Sequence, residues 1–163
     1  MMNDRKTMKV DAIRNGTVID HIPAGRGLRV LEILESEEDQ QKDLITIGLN
    51  LISGAYGRKD IIKIENRELT VNEVNQIALI APEATLNIIR DFEVTEKKTV
   101  ELPEKIEGLM HCPNPNCVTS DETIHTRLLR VSRTPVRLRC AYCERVFNVE
   151  EMKLVGISGK YEE

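Results

Sequence analysis

The chain has 163 residues, 40% of them hydrophobic and 31% charged, which is typical of a globular protein with one medium or two small domains. Its net charge of −4 at pH 7 lacks the basic excess of a general nucleic-acid binder, and its apolar runs are too short to cross a bilayer. The opening MMNDRKTMKV contains no apolar core of a secretory signal. We therefore expect a cytoplasmic protein whose thiols stay reduced.

Strand and helix patterns alternate through the first part of the chain. MKVDAI and TVIDHI predict one extended, bent strand around Arg14-Asn15-Gly16, and the apolar stripe of RGLRVLEILES predicts a helix. ITIGLNL alternates with period two, as a half-buried strand does. SGAYGRKD is predicted as a loop, IIKIEN as a further strand and ATLNIIRDFEV as the last strand.

A second helix is predicted to begin after Thr70. Thr70 can cap the helix and Glu73 can complete a capping box, while Leu69 and Val74 can form a hydrophobic staple. Pro82 follows the predicted end of this helix.

The order strand, helix, strand, strand, helix, strand predicts a ferredoxin-like βαββαβ domain, and hence an α+β protein. The charged stretch TEKKTVELPEK is the natural domain boundary. We expect an N-terminal domain over residues 1–101 and a C-terminal domain over residues 102–163.

All four cysteines lie in the C-terminal part, in two close pairs. Cys112 and Cys117 flank Pro-Asn-Pro-Asn, and Cys140 and Cys143 flank Ala-Tyr. Two close pairs about twenty residues apart are typical of a tetrahedral four-cysteine zinc site. Catalytic redox chemistry and disulfides are the alternatives, but the short strands expected around the second pair do not supply a helix N-terminus that would activate a thiol. A catalytic metal site would need an open coordination position, which four thiolates do not leave.

The metal has a physical task in this part of the chain. A unit of roughly sixty residues with only short apolar strands buries too little surface to be stable without a cross-link. We therefore expect a small antiparallel β domain of the zinc-ribbon kind, with one structural Zn²⁺ per chain.

Six arginines in the same region support a rival hypothesis, a zinc-ribbon nucleic-acid binder. They are Arg127, Arg130, Arg133, Arg137, Arg139 and Arg145. On a strand, Arg137 and Arg139 would share a face and could follow a phosphate backbone. Their alternative role is ion pairing, locally or across a protein interface, where arginine is enriched.

Several polar residues of the N-terminal domain could meet around one anionic ligand. Lysines and a protonated histidine suit phosphates, and a carboxylate suits ribose hydroxyls. The candidates are Asp20, His21, Lys63, Asn87, Lys97 and Lys98. The chain has no Gly-x-Gly-x-x-Gly motif and no P-loop, so the residues alone leave open that these are ordinary surface side chains.

Six segments in order resemble the regulatory chain of aspartate carbamoyltransferase: GTVIDHIPAG, ITIGLNLISG, GRKDIIKIEN, LIAPEATLNII, CPNPNC and CAYCE. The resemblance covers nearly the whole chain. It implies a non-catalytic subunit that controls pyrimidine biosynthesis and binds ATP, CTP and UTP in its N-terminal allosteric domain. It also implies a homodimer of regulatory chains that joins catalytic trimers through the zinc domain, with neither nucleic acid nor membrane as a partner.

The resemblance further implies which residues form the two sites. Lys97 and His21 would meet phosphates, Asp20 and Lys63 the ribose, and backbone groups around Ile13 and Phe92 the base. Asp11 stands where the family would have glutamate, and Phe92 where it would have tyrosine. The implied nucleotide contacts are Val10, Asp11, Ala12, Ile13, Asp20, His21, Lys63, Asn87, Ile89, Phe92, Val94 and Lys97, and the implied zinc ligands are Cys112, Cys117, Cys140 and Cys143.

Overall fold

The computed structural model describes residues 12–35, 43–54 and 57–156. The N-terminal unit forms one antiparallel sheet in the order β2-β3-β1-β4-β5. This is the predicted ferredoxin-like arrangement, extended by one strand. Its elements are β1 (Gly16–Pro23), α1 (Gly27–Glu35), β2 (Ile45–Ser53), β3 (Gly57–Glu65), α2 (Val71–Ile80), β4 (Thr85–Arg90) and β5 (Glu93–Thr99).

One face of this sheet packs against the helices and forms the apolar core. Ile19 lies opposite Ile62 on β3 and Leu86 on β4, so these three side chains share a face. Ile33 of α1 and Ile77 of α2 are fully buried in the same cluster. Aliphatic side chains therefore supply the core, in keeping with an aromatic content of only 3%. Within the described residues, neither helix is long and apolar enough to cross a membrane.

The start of α2 confirms the predicted capping box. The Thr70 hydroxyl accepts the Glu73 backbone N–H, and the Glu73 carboxylate accepts the Thr70 backbone N–H. Leu69 and Val74 pack against the core beside it. The buried Arg67 side chain forms an ion pair with the same carboxylate, so Glu73 also holds the strand-to-helix connection in place.

The last part of the sheet differs from the prediction. The segment over 84–94 is not one strand, because Asp91 (φ +50°) and Phe92 (φ +66°) form a tight turn. Glu93–Thr99 then returns along β4 as β5, in a stretch predicted to be partly linker. Every residue of β5 is exposed, so this edge strand lacks the apolar alternation by which a sequence reveals a strand.

Smaller differences concern the other strand ends. β1 begins at Gly16, so residues 12 and 13 of the predicted bent strand lie outside it. The earlier part of that prediction falls outside the described residues. β3 begins at Gly57, within the segment predicted as a loop.

A buried carboxylate ties β3 to the loop after β1. Asp60 is fully buried and accepts the backbone N–H groups of Gly25 at 3.0 Å, Gly27 at 2.8 Å and Asn50 at 2.8 Å. Glycine is required at position 27, because a Cβ there would lie 2.8 Å from Asp60 Oδ2. The carboxylate thereby anchors the N-terminus of α1, whose dipole favours a negative charge.

Asp60→Ala is expected to lower the free energy of unfolding by about 2–4 kcal/mol, because it leaves buried N–H donors without an acceptor. Urea denaturation followed by circular dichroism measures this loss. Glu68→Ala is the matched control: its carboxylate pairs with Arg90 at 2.9 Å on the surface, and we expect a loss below about 1 kcal/mol. Equal stabilities of the two variants would contradict the anchoring role of Asp60.

The C-terminal unit is a small antiparallel sheet in the order β6-β7-β8-β9. Its apolar centre is limited, with Ile106, Leu128 and Leu138 as its most buried aliphatic strand residues. Short 3-10 turns follow Cys117 and Asn148. The strands are β6 (Lys105–Glu107), β7 (Arg127–Arg133), β8 (Val136–Cys140) and β9 (Val146–Asn148).

The two units share one continuous cluster of buried apolar side chains. Arg130 of β7 reaches back to the connecting segment, where its guanidinium donates to the Leu102 carbonyl. Its side chain is only 10% exposed. Arg130 is therefore a structural residue of the junction, which removes it from the arginine surface considered for nucleic acid.

Candidate functional site

The four cysteines form one compact cluster. Their Sγ atoms all lie within 4.8 Å of one another, with Cys112 and Cys143 3.7 Å apart and Cys117 and Cys140 3.7 Å apart. Four thiolates each about 2.3 Å from a tetrahedral zinc would lie about 3.8 Å from one another. A disulfide would instead hold two sulfurs at about 2.05 Å. The donor set and its spacing therefore fit a structural metal ion.

Local hydrogen bonds shape the two turns that present these thiols. In the first turn, the Asn114 side-chain oxygen accepts the Asn116 N–H at 3.1 Å, and the Asn114 backbone carbonyl accepts the Cys117 N–H at 3.1 Å. In the second, the Cys140 carbonyl accepts the Glu144 N–H at 2.9 Å, and Glu144 takes a positive φ of 64°. Both pairs of thiols are thus positioned by their own backbone turns, as the spacing predicted.

The thiols are electrostatically unequal. Burial raises the pKa of Cys112 to about 12. Burial also opposes ionisation of Cys143, but hydrogen bonds from the Arg145 backbone and the Asn114 side chain outweigh it and bring the pKa of Cys143 to about 7. Thiolates this close repel one another, so a cation among them is what allows all four to ionise together.

Neither histidine near the cysteines belongs to this cluster. Within the described residues, the metal-ligand group consists of the four cysteines alone. His111 and His125 instead line a separate surface cavity of about 320 Å³.

The sheet register brings three of the predicted nucleotide residues into one row. Val18 on β1 lies opposite both Lys63 on β3 and Asn87 on β4, and Asn87 lies opposite Lys97 on β5. Directly opposed residues in an antiparallel sheet point to the same side, so the row lies on the face away from the helices. Two cations and an amide are thereby aligned across four strands.

The centre of this row contains polar groups held in apolar surroundings. Lys63 is only 6% exposed, and the buried Oδ1 of Asn87 has no hydrogen-bond partner among the described residues. Val18 packs with Ile13 and Ile89 in a small apolar cluster beside it. A buried acceptor without a donor is costly, and a ligand N–H or O–H would satisfy it.

A bulge in β1 forms the charged end of this surface. The register shifts between Ile19 and Ile22, and His21 takes a positive φ of 58°. The Asp20 carboxylate accepts the His21 backbone N–H at 2.6 Å and pairs with Lys59 Nζ at 2.8 Å. His21 Nδ1 lies 3.2 Å from the Thr85 hydroxyl. Burial opposes ionisation of Asp20, but the Lys59 and His21 hydrogen bonds outweigh it and lower the pKa of Asp20.

The β4–β5 turn forms the opposite end. The Phe92 backbone N–H donates to the Arg14 carbonyl at 2.9 Å, which brings this turn beside the segment containing Ala12 and Ile13. Val94 lies opposite Ile89, but the side chains of Phe92 and Val94 are 64% and 56% exposed. Their backbones are therefore part of the surface, while their side chains remain largely open to solvent. Val10 and Asp11 lie outside the described residues.

Sequence reasoning missed three residues of this surface. Lys59 is the ion-pair partner of Asp20, and Val18 and Ile61 belong to the small apolar cluster. Lys59 lies just before the predicted strand IIKIEN, and no local sequence pattern marked it as a residue of this surface. The alternation of β1 could have shown that Val18 points away from the helix-facing Ile19.

Comparisons with known proteins cover both units of the chain. The family model "Aspartate carbamoyltransferase regulatory chain, allosteric domain" matches residues 8–101, and the model for the metal binding domain of the same chain matches residues 104–153. The regulatory chain of Pyrococcus abyssi is 51% identical over 145 residues, covering 89% of this chain and 95% of the relative.

Relatives from two further organisms have similar identity and coverage. The regulatory chain of Methanothermobacter thermautotrophicus is 50% identical over 147 residues, covering 90% of this chain and 93% of the relative. That of Aeromonas salmonicida is 48% identical over 147 residues, covering 90% and 94%. The chain therefore belongs to the aspartate carbamoyltransferase regulatory chain family, with an allosteric domain followed by a metal-binding domain.

Proposed function

We propose that the chain binds ATP, CTP and UTP at one shared site on the helix-free face of its N-terminal sheet. The observation that carries this proposal is the row of Lys63, Asn87 and Lys97 with Asp20 and His21 at its charged end. An elongated anion with an apolar end fits a surface that runs from the cluster around Ile13 toward the bulge at His21. Residues 1–101 form the nucleotide-binding domain in this proposal.

Each part of the nucleotide has a suitable counterpart on this surface. Lys97 and His21 bind phosphates, since cations and imidazole N–H groups form charge-assisted hydrogen bonds with them. Asp20 and Lys63 bind the ribose hydroxyls, and backbone groups near Ile13 and Phe92 read the base. Asp20, whose pKa is lowered, is ionised at neutral pH and can accept hydrogen bonds from the ribose hydroxyls.

The metal in this proposal is Zn²⁺, one per chain, held by Cys112, Cys117, Cys140 and Cys143. It cross-links the turns of residues 102–163, a unit too small to be stable without it. The zinc domain docks onto the catalytic chain of aspartate carbamoyltransferase. Exposed Arg137 and Arg139 on one face of β8 supply cations for that protein interface. A cytoplasmic location, where thiols stay reduced, is part of the proposal.

Two regulatory chains pair in the assembly that we propose. Among the strands that the structure describes, β2 is an edge of the N-terminal sheet, and Leu49 and Ile52 on it are 46% and 70% exposed. An unpaired edge with exposed apolar side chains favours pairing with a second copy. Three such dimers would then join two catalytic trimers.

As a regulatory chain, the protein is a non-catalytic subunit, so its effect on catalysis must be a coupling free energy. Such couplings are typically about 1–3 kcal/mol and act reciprocally on binding. Nucleotides that act in opposite directions must favour different states of the assembly, because equal affinity for both states shifts nothing. Through this coupling the chain controls the aspartate carbamoyltransferase step of pyrimidine biosynthesis.

The test is the aspartate saturation curve of catalytic trimers combined with this chain, with and without nucleotide. The proposal predicts a shift in the half-saturating aspartate concentration. A curve that stays unchanged with ATP, CTP and UTP would contradict it.

A further inference from the structure

Arg26 connects the two domains directly. It lies in the short loop between β1 and α1, and its Nη1 donates to the Ile80 carbonyl at the end of α2 at 2.8 Å. Its Nη2 forms an ion pair with Glu150 Oε1 at 2.5 Å. Glu150 lies in the 3-10 turn after β9, within the metal-binding unit. One side chain of the nucleotide domain therefore holds both its own second helix and the other domain.

The loop that carries Arg26 is a direct extension of the charged end of the nucleotide surface. Asp20 and His21 are followed within β1 by Pro23, whose carbonyl accepts the Arg26 backbone N–H at 3.0 Å. The chain from the bulge to Arg26 is thus short and fixed by a hydrogen bond at its end. A change in the backbone at His21 is therefore expected to move Arg26 as well.

A second connection runs through β3. Asp60 accepts the N–H groups of Gly25 and Gly27, the two residues that flank Arg26. The residue before Asp60 is Lys59, which pairs with Asp20. A ligand that binds Asp20 must add to or replace the Lys59 contact, which lies one residue along β3 from the carboxylate that holds the loop. Both routes from the nucleotide surface therefore end at Arg26.

We propose that Arg26 is the positioning residue that transmits nucleotide binding to the metal-binding domain through Glu150. The inference rests on the proposed nucleotide function and specifies how that site regulates. The two arrangements that it requires are Arg26 paired with Glu150 and Arg26 separated from it. Ligands at Asp20 bias this pair from one side, and the state of the catalytic assembly biases it from the other.

The exposure of the pair separates this role from a purely structural one. The side chains of Arg26 and Glu150 are 31% and 64% exposed, and ion pairs at such sites add little to stability. Variants that lose the pair should therefore fold, bind metal and assemble. A merely structural role would leave the response to nucleotide unchanged in such variants.

The experiment compares Arg26→Gln, Glu150→Gln and the double variant, each combined with catalytic trimers. Arg29→Gln is the control, because Arg29 is the third residue of α1 and its substitution removes the same charge three positions away. The readouts are the nucleotide-induced shift in half-saturating aspartate, the mass of the complex, and ATP and CTP affinity of the isolated regulatory chain. Using the isolated chain for affinity avoids the reciprocal effect of the catalytic subunits.

We expect each single variant to lower the coupling factor by about 2- to 30-fold. The mass of the complex should match that of the unmodified chain, nucleotide binding should be retained, and Arg29→Gln should respond as the unmodified chain does. The double variant should lose no more than either single variant, because both act through one contact.

Three outcomes would overturn the inference. Full nucleotide response in Arg26→Gln, beside a responsive unmodified complex, overturns the role of Arg26 and leaves the proposed function intact. Additive losses in the double variant overturn transmission through Glu150. An unmodified complex that responds to no nucleotide overturns the proposed function and the inference together.

Discussion

Cys117→Ala is expected to abolish association with catalytic chains while the N-terminal domain stays folded. Three thiolates cannot complete the tetrahedral site, and structural zinc supplies apparent binding free energies of about 10–16 kcal/mol, much of which is folding free energy. The small apolar centre around Ile106, Leu128 and Leu138 cannot replace that contribution. Sedimentation of mixtures with catalytic trimers measures association, and nucleotide binding to the variant reports the N-terminal fold. Stripping the metal with a chelator should have the same effect.

Thr119→Ala provides a graded control for this loss. Its hydroxyl donates to Cys117 Sγ at 3.1 Å, so the variant keeps all four thiolates and loses one supporting hydrogen bond. Changes of this kind typically lower metal affinity about 10- to 100-fold, and the variant should still assemble when zinc is in excess. A normal complex formed by Cys117→Ala would contradict the role given to the metal-binding domain.

Lys97→Ala is expected to weaken nucleotide binding by about 10- to 100-fold, because a charge-assisted hydrogen bond to a phosphate is lost. Assembly with catalytic trimers should be unaffected, since Lys97 lies on β5, far along the chain from the cysteine cluster. Calorimetric titration with ATP and CTP measures the change. Among the described residues no carboxylate pairs with Lys97, so its removal leaves no unpaired acid behind.

The adjacent lysine is a matched control. Lys98 lies opposite Leu86, which faces the helices, and its Nζ pairs with Glu96 at 2.9 Å. Lys98→Ala removes the same charge from the same strand but from the opposite face. We expect its nucleotide affinity to remain within about twofold of that of the unmodified chain, because the exposed Lys98–Glu96 ion pair contributes little free energy. Equal losses in both variants would indicate a general charge effect instead of a site at Lys97.

The features that sequence reasoning predicted well are local ones. The capping box of Thr70 and Glu73 depends on residues three positions apart, and each pair of cysteines depends on one tight turn. Such features form wherever the chain has the right residues, independently of distant strands. The strand and helix order likewise followed from apolar periodicity.

The features that it could not predict depend on pairing between distant segments. Lys63, Asn87 and Lys97 were candidate residues, but their alignment in one row depends on the register of four strands, and a one-residue slip would move each side chain to the other face. The pairing of Lys59 with Asp20 depends on a bulge that no single segment reveals. The strand β5 has no apolar alternation because neither of its faces is buried.

In the function that we propose, this chain couples nucleotide binding to the aspartate response of a catalytic partner. The most direct measurement is the aspartate saturation curve of the reconstituted complex at saturating ATP, at saturating CTP and without nucleotide, beside catalytic trimers alone. We expect at least one nucleotide to shift the half-saturating aspartate concentration of the complex, while the curve of the trimers stays unchanged. Superimposed curves for a complex that calorimetry shows to be nucleotide-bound would contradict it.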